Sequence, residues 1–185
     1  MADSNITKKA LADAMKSLMC EKSFEKISIS DICNRCSMNR QSFYYHFRDK
    51  YDLVNWIFYT ELIEHLYEHA PTSGWDLLLD VCSYFYANRR FYVNALKVTG
   101  QNSFTEYFTD VMHAIVQPYF EEIFNSEEEN MDFYVQLFTD ACKTGICRWL
   151  IDQPDLTPEK FVQMVHHGVV CIAHCIIKDE KQENQ

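Results

Sequence analysis

The stretch from Ser28 to Lys50 limits what this chain can fold into more than any other. It reads as two short helices joined by a tight turn. Ser28 can cap the first helix, and Asp31 three residues later completes a capping-box pattern. Asn39 can cap the second, leaving Arg40, Gln41 and Ser42 as its first turn. At about 100° per residue, Phe43 and Phe47 share one face of that helix. Gln41, Ser42 and Tyr45 lie roughly opposite, flanked by Tyr44 and His46. Two aromatic anchors thus fix the helix to a core while hydrogen-bonding groups point outward. An ordinary core helix seldom keeps Arg, Gln, Ser and Tyr on the face away from its anchors. A helix-turn-helix does, because its second helix presents its N-terminal residues to base edges and neighbouring groups to phosphates.

Those residues in that order, Ser28-Ile29-Ser30-Asp31-Ile32, then Asn39-Arg40-Gln41-Ser42-Phe43-Tyr44-Tyr45-His46-Phe47, then Lys50 and Leu53, resemble the DNA-binding segment of tetracycline-repressor (TetR) family regulators. The family usually has Gly in the inter-helix turn where this chain has Ser37, which implies a small stability cost if the backbone there needs positive φ. Further along, Asn88-Arg89-Arg90-Phe91-Tyr92, Gly100-Gln101-Asn102-Ser103-Phe104 and Trp149-Leu150 resemble a TetR subgroup that includes activators of dihydroxyacetone-kinase operons. The resemblance implies an all-α protein with a helix-turn-helix head over residues 1–50. It implies a helical effector-binding and dimerisation body over residues 51–185. Arg40, Gln41 and Ser42 are expected at base edges. Ser28, Tyr44, His46 and Lys50 are expected at phosphates, and Ser30 and Tyr45 at either.

Charge fits this division. The chain carries −10 overall, which disfavours a DNA partner, yet residues 1–56 hold nine Lys/Arg against seven Asp/Glu, and the remainder eight against twenty. Only the N-terminal third can approach phosphates without strong repulsion. The composition, 48% hydrophobic and 15% aromatic with four Gly and four Pro, favours a helical globular protein over sheet or disorder.

Apolar periodicity predicts helices over Thr7–Glu21, Asp49–His69, Trp75–Ala87, Arg90–Val98, Phe104–Phe124 (kinked by Pro118), Met131–Ile151 and Pro158–Lys178, the last opened by Thr157-Pro158. Pro71–Gly74 and Gly100–Ser103 read as breaks, and Glu127-Glu128-Glu129 as a solvated loop. The uncharged run Phe161–Ile177 is too short and too polar to span a bilayer, and no signal peptide is visible at Met1–Asn5. The eight cysteines then read as reduced thiols of a cytoplasmic protein.

Chemistry beyond DNA binding has weaker support. Cys33-x2-Cys36 is half of a zinc spacing with no second half, and no metal or cofactor is expected. His167, Cys171, His174 and Cys175 share one side of the last helix, as packing residues or as ligands. No nucleophile, base and orienting group come together by spacing, so no enzyme is expected. Aromatics of the body could line an effector cavity, with Trp75, Tyr86, Asn94, Tyr107, His113 and Gln117 as candidate contacts for a small molecule, or the effector could be a protein. A single recognition helix rarely discriminates enough sequence, so a homodimer on a near-palindromic operator of double-stranded DNA is expected. Its interface is expected along Ala141, Cys142, Gly145, Ile146 and Trp149, and along Val165, Gly168, Val169, Ile172 and Ile176.

Overall fold

The structure, a computed structural model, describes residues 2–98, 104–123 and 129–183, the side chains of 2, 3, 123, 173 and 175–183 excepted. The Gly100–Ser103 break and most of the acidic run at 127–129 therefore lie outside the described residues. Among the described residues every element is helical: α1 (Ala2–Glu21), a 3-10 turn (Phe24–Lys26), α2 (Ile29–Arg35), α3 (Arg40–His46), α4 (Lys50–His69), α5 (Gly74–Ala87), α6 (Arg89–Leu96), α7 (Phe104–Ile123), α8 (Met131–Asp152) and α9 (Pro158–Glu183). No described helix is long and apolar enough to cross a membrane.

Local signals set most of the ends. Ser28 and Asp31 close the capping box on α2, and Asn39, Asp49 and Ser73 accept backbone N–H groups at the starts of α3, α4 and α5. Thr157 Oγ1 accepts from Lys160 N at 3.4 Å before Pro158 opens α9. α7 continues through Pro118 to Ile123. Ser37, between α2 and α3, has φ of 55°, the left-handed conformation that glycine would adopt without strain.

Leu11, Ala14, Met15 and Leu18 of α1 face inward as their spacing predicts, meeting Phe24, Ile27, Ile32, Phe43 and Phe47. α1 also packs on α4 and α6. The body is aromatic at its centre: Phe58 of α4 contacts Phe85, Tyr92, Phe104, Tyr107 and Phe108, with ring centroids 5.2–6.2 Å apart. A polar chain crosses beside it. Lys16 pairs with Glu61 at 2.7 Å, Tyr84 OH donates to Glu61 at 3.0 Å, and the Tyr84 and Tyr92 hydroxyls lie 2.7 Å apart.

His65 on α4 carries a testable pH dependence. Its ring lies 4.1 Å from that of His69 and 5.3 Å from Tyr84, and its Nε2 is buried without a partner. Burial, then the neighbouring His69, lowers its pKa below the ordinary 6.5, although Asp80 and Glu68 pull the other way. In the window below 6.5 the unfolded chain binds this proton and the folded chain does not, so stability falls as pH drops through it. Thermal melts at pH 7.5 and 5.5 should show a smaller acid-side loss for His65→Phe than for wild type. Equal losses would remove His65 as the cause.

Candidate nucleic-acid interface

α3 is held by Phe43 and Phe47, both almost fully buried, with their rings 5.9 Å apart and Phe47 5.7 Å from Trp56. That anchoring turns Arg40, Gln41, Tyr44 and Tyr45 outward; Tyr45 is 82% exposed and Tyr44 50%. Large aromatic rings left in water on one helix face are costly unless a partner covers them. Arg40 is steadied rather than paired: one guanidinium nitrogen donates to Ser30 Oγ and another to Tyr44 OH, each at 3.3 Å. Among the described residues no carboxylate pairs with it, which leaves its charge and its remaining N–H groups for an acceptor. The ring of Tyr45 stands edge-on to His46 at 4.9 Å.

Ser42 and Ser28 are partly committed to capping. Ser42 Oγ donates to Asn39 Oδ1 at 3.1 Å, and Ser28 Oγ both donates to and accepts from Asp31. Hydrogen bonds from Ser28, then Lys22, hold the Asp31 carboxyl at a pKa of about 2.

Lys50 is placed differently from the expectation. Its ammonium donates to the carbonyls of Phe24 (2.8 Å), Ile27 (2.9 Å) and Glu25 (3.3 Å) and lies 4.3 Å over the Phe24 ring. Three donors meet three acceptors, so no N–H remains for a phosphate. Desolvation lowers its pKa. Lys50 is the clamp that ties the 3-10 turn to the start of α4. Cys33 and Cys36 are likewise committed, with thiols directed at the Asn39 and Ile32 carbonyls at 3.5 and 3.3 Å.

An apolar cleft of about 240 Å³ lies among α5, α7 and α8. Trp75 lines it with Leu77, Leu78, Val116, Tyr119, Phe120 and Phe138. An adjoining chamber of about 20 Å³ shares five residues with it, Gly74, Leu77, Leu78, Val116 and Phe138, and reaches Thr139, Cys142 and Ile146. Of the six expected effector contacts, only Trp75 lines this cleft. Asn94 instead locks the body to the head: its Oδ1 accepts from Phe24 N at 3.0 Å, and its Nδ2 donates to Met19 O (3.0 Å) and Lys22 O (2.8 Å). Tyr86 donates to Pro154 O at 3.1 Å, and Tyr107 packs on Phe58. Gln117 donates to Glu121 along its own helix, and His113, half-buried on α7, lies outside the cleft lining.

The expected interface stripe on α8 is also corrected in part. Ile146 and Trp149 are core residues of a single subunit. Trp149 stacks on Phe161 at 4.7 Å and on Tyr86 at 5.9 Å, and donates to Leu156 O. Cys142 and Gly145 are half-buried, and Gly145 faces the Phe161 ring. The apolar face that α8 leaves uncovered is Phe133 (63% exposed), Leu137 (58%) and Ala141. α9 leaves Met164 (55%) and Ile172 (63%) uncovered on the side of half-buried Gly168. Val169 is also exposed, Val165 is half-buried, and the Ile176 side chain lies outside the described residues. Cys171 Sγ lies 3.5 Å from His167 Nε2 on exposed α9, and the described residues contain no metal-ligand cluster. His174 is exposed there too, while the Cys175 side chain is outside the description.

A capped, aromatic-anchored helix with a free arginine at its N-terminus, on a compact helical head above an acidic helical body, defines a helix-turn-helix transcriptional regulator. The chain belongs to the TetR family: residues 11–57 match the sequence model of bacterial regulatory proteins of the tetR family, and residues 75–169 that of a transcriptional regulator C-terminal region. It is 28% identical over 150 residues to the HTH-type dhaKLM operon transcriptional activator DhaS of Lactococcus lactis subsp. lactis (strain IL1403), covering 80% of this chain and 75% of that one. Its fold is similar to that of a dihydroxyacetone kinase operon activator DhaS (TM-score 0.67, 23% identity, 90% of this chain and 95% of that one). It is also similar to NalD, the secondary repressor of the MexAB-OprM multidrug efflux pump in Pseudomonas aeruginosa (TM-score 0.59, 17% identity, 90% and 96% covered).

Proposed function

We propose that residues 1–50 bind one half-site of a near-palindromic operator and that residues 51–185 bind the effector and the second subunit, in the cytoplasm. Arg40, Gln41 and Ser42 read base edges, Arg40 suiting guanine and Gln41 adenine. Ser28, Ser30, Tyr44, Tyr45 and His46 contact phosphates or position Arg40. The observation that carries this reading is the outward face of α3, where an unneutralised Arg40 and two exposed tyrosines stand on a buried Phe43. A mobility shift on duplex DNA across a salt series tests it. Binding should weaken steeply with salt, and Arg40→Ala should relax one base position at a cost of about 1–3 kcal/mol.

The effector, a small molecule or a protein, acts on the body and changes the separation of the two recognition helices through α4. The cleft beside Trp75 supports a small molecule. The names of the similar activators point to control of a dihydroxyacetone-kinase operon, for which genomic neighbourhood gives a direct check.

Two subunits meet through α8 and α9, with Phe133, Leu137, Met164 and Ile172 as the contact residues in place of the core residues Ile146 and Trp149. Large apolar residues this exposed on neighbouring helices need covering. Ile172→Glu places a charge on that surface and should weaken dimerisation at least about tenfold, with the fold retained because the side chain is exposed. Light scattering at micromolar concentration checks this; a monomeric wild type, or an unaffected variant, contradicts the interface.

A further inference from the structure

We propose that the cleft among α5, α7 and α8 takes an uncharged, mainly apolar molecule with a single polar head, and that Thr139 Oγ1 binds that head. This rests on the effector reading above and gives the effector its chemical class. Thr139 is 1% exposed, and its hydroxyl has no hydrogen-bond partner although it lines the inner chamber. A buried hydroxyl without a partner is unfavourable, so a ligand polar atom that reaches it gains by pairing with it.

The remaining walls narrow the class. Leu77, Leu78, Phe108, Met112 and Val116 supply the chamber side, and Trp75, Tyr119 and Phe120 the outer cleft. Lys143 also lines the chamber, but its ammonium is paired with Asp140 at 2.7 Å, and residues 57–185 are strongly acidic. An anionic ligand therefore lacks a free cation. A polyol carries more hydroxyls than these mostly apolar walls can pair, and each one left unpaired costs about tenfold or more in affinity. The outer cleft, about 240 Å³, exceeds the roughly 150 Å³ of cavities known to hold benzene, so a body of about six to ten heavy atoms fits. Phe138 lines both spaces, as do Leu77, Leu78 and Val116, so the cleft and the chamber adjoin along these side chains.

The test uses the full chain and an isosteric pair, 4-propylphenol and 4-propyltoluene, with glycerol as the polyol, measured by titration calorimetry. Wild type should bind the phenol at least about tenfold tighter than the hydrocarbon, and glycerol should not bind at millimolar concentration. Thr139→Val, which keeps the shape and removes the hydroxyl, should abolish the preference while the hydrocarbon binds as before; Thr139→Ser should keep it. Gly74→Trp should hinder both ligands, because Gly74 lines both chamber and cleft and a Cβ there meets nothing within 4 Å, which leaves room for the added ring. No preference in wild type, a preference that survives Thr139→Val, or glycerol binding abolished by Gly74→Trp would overturn the assignment of class. Binding of 4-propylphenol that leaves the affinity of the full chain for DNA unchanged would overturn the reading of this cleft as the effector site while keeping its ligand class.

Discussion

Lys50→Met should lower the stability of the head by about 2–4 kcal/mol and leave the salt dependence of DNA binding unchanged. The substitution keeps an apolar stem of similar length and deletes the ammonium, stranding the carbonyls of Phe24, Glu25 and Ile27. Hydrogen bonds to a charged donor contribute about 1.5–3 kcal/mol each when buried, and partial exposure of Lys50 reduces the sum. A phosphate-binding lysine behaves oppositely: its loss leaves the melting temperature in place and lowers the salt slope by about one. Thermal melts and a salt titration on the same variant separate the two roles. An unchanged melt with a reduced slope would return Lys50 to the DNA surface.

Asn94→Ala should be comparably severe, at about 2–4 kcal/mol, and its effect should appear as a loosened head. One side chain satisfies Phe24 N, Met19 O and Lys22 O, so its removal breaks three hydrogen bonds and leaves half-buried backbone groups unpaired. These bonds join α6 to the end of α1, beside the polar chain from Lys16 through Glu61 to Tyr84. A head freed from α6 should exchange its α1 and α2 amides faster while the amides of α8 and α9 stay protected. Hydrogen exchange measures this. Uniform acceleration across the chain would mean that Asn94 supports the whole fold and not the head–body junction.

These two residues also show where sequence reading stops. Ser28, Asp31, Asn39, Phe43 and Phe47 are legible because their partners lie within a few residues, and helix geometry alone brings them together. Lys50 meets carbonyls 23 to 26 residues away, and Asn94 meets groups 70 to 75 residues away. No local pattern encodes those contacts. A lysine just after a recognition helix looks like a phosphate contact, and an asparagine among aromatics looks like a ligand contact, until the tertiary fold brings carbonyls to them. Thr139 left no signal, since a threonine inside an apolar helix usually bonds to its own backbone.

The stripe expected on α8 changes in part, for a different reason. The helix has two apolar stripes, Ile146 and Trp149 on one and Phe133, Leu137 and Ala141 on the other. Periodicity finds both without stating which meets the subunit's own core. The pairing is decided by Tyr86 and Phe161, whose rings both stack on Trp149. Small residues such as Gly145 read as sites of close approach between subunits, and here Gly145 faces the chain's own Phe161.

Selection of duplexes from a random pool by the full chain, followed by repetition with Arg40→Ala, tests the central claim most directly. Wild type should enrich a near-palindromic site with a guanine at matching positions of both half-sites, and Arg40→Ala should lose preference at those two positions while keeping the rest. An enriched site unchanged by Arg40→Ala, or no enrichment at all, would contradict α3 as the helix that reads DNA.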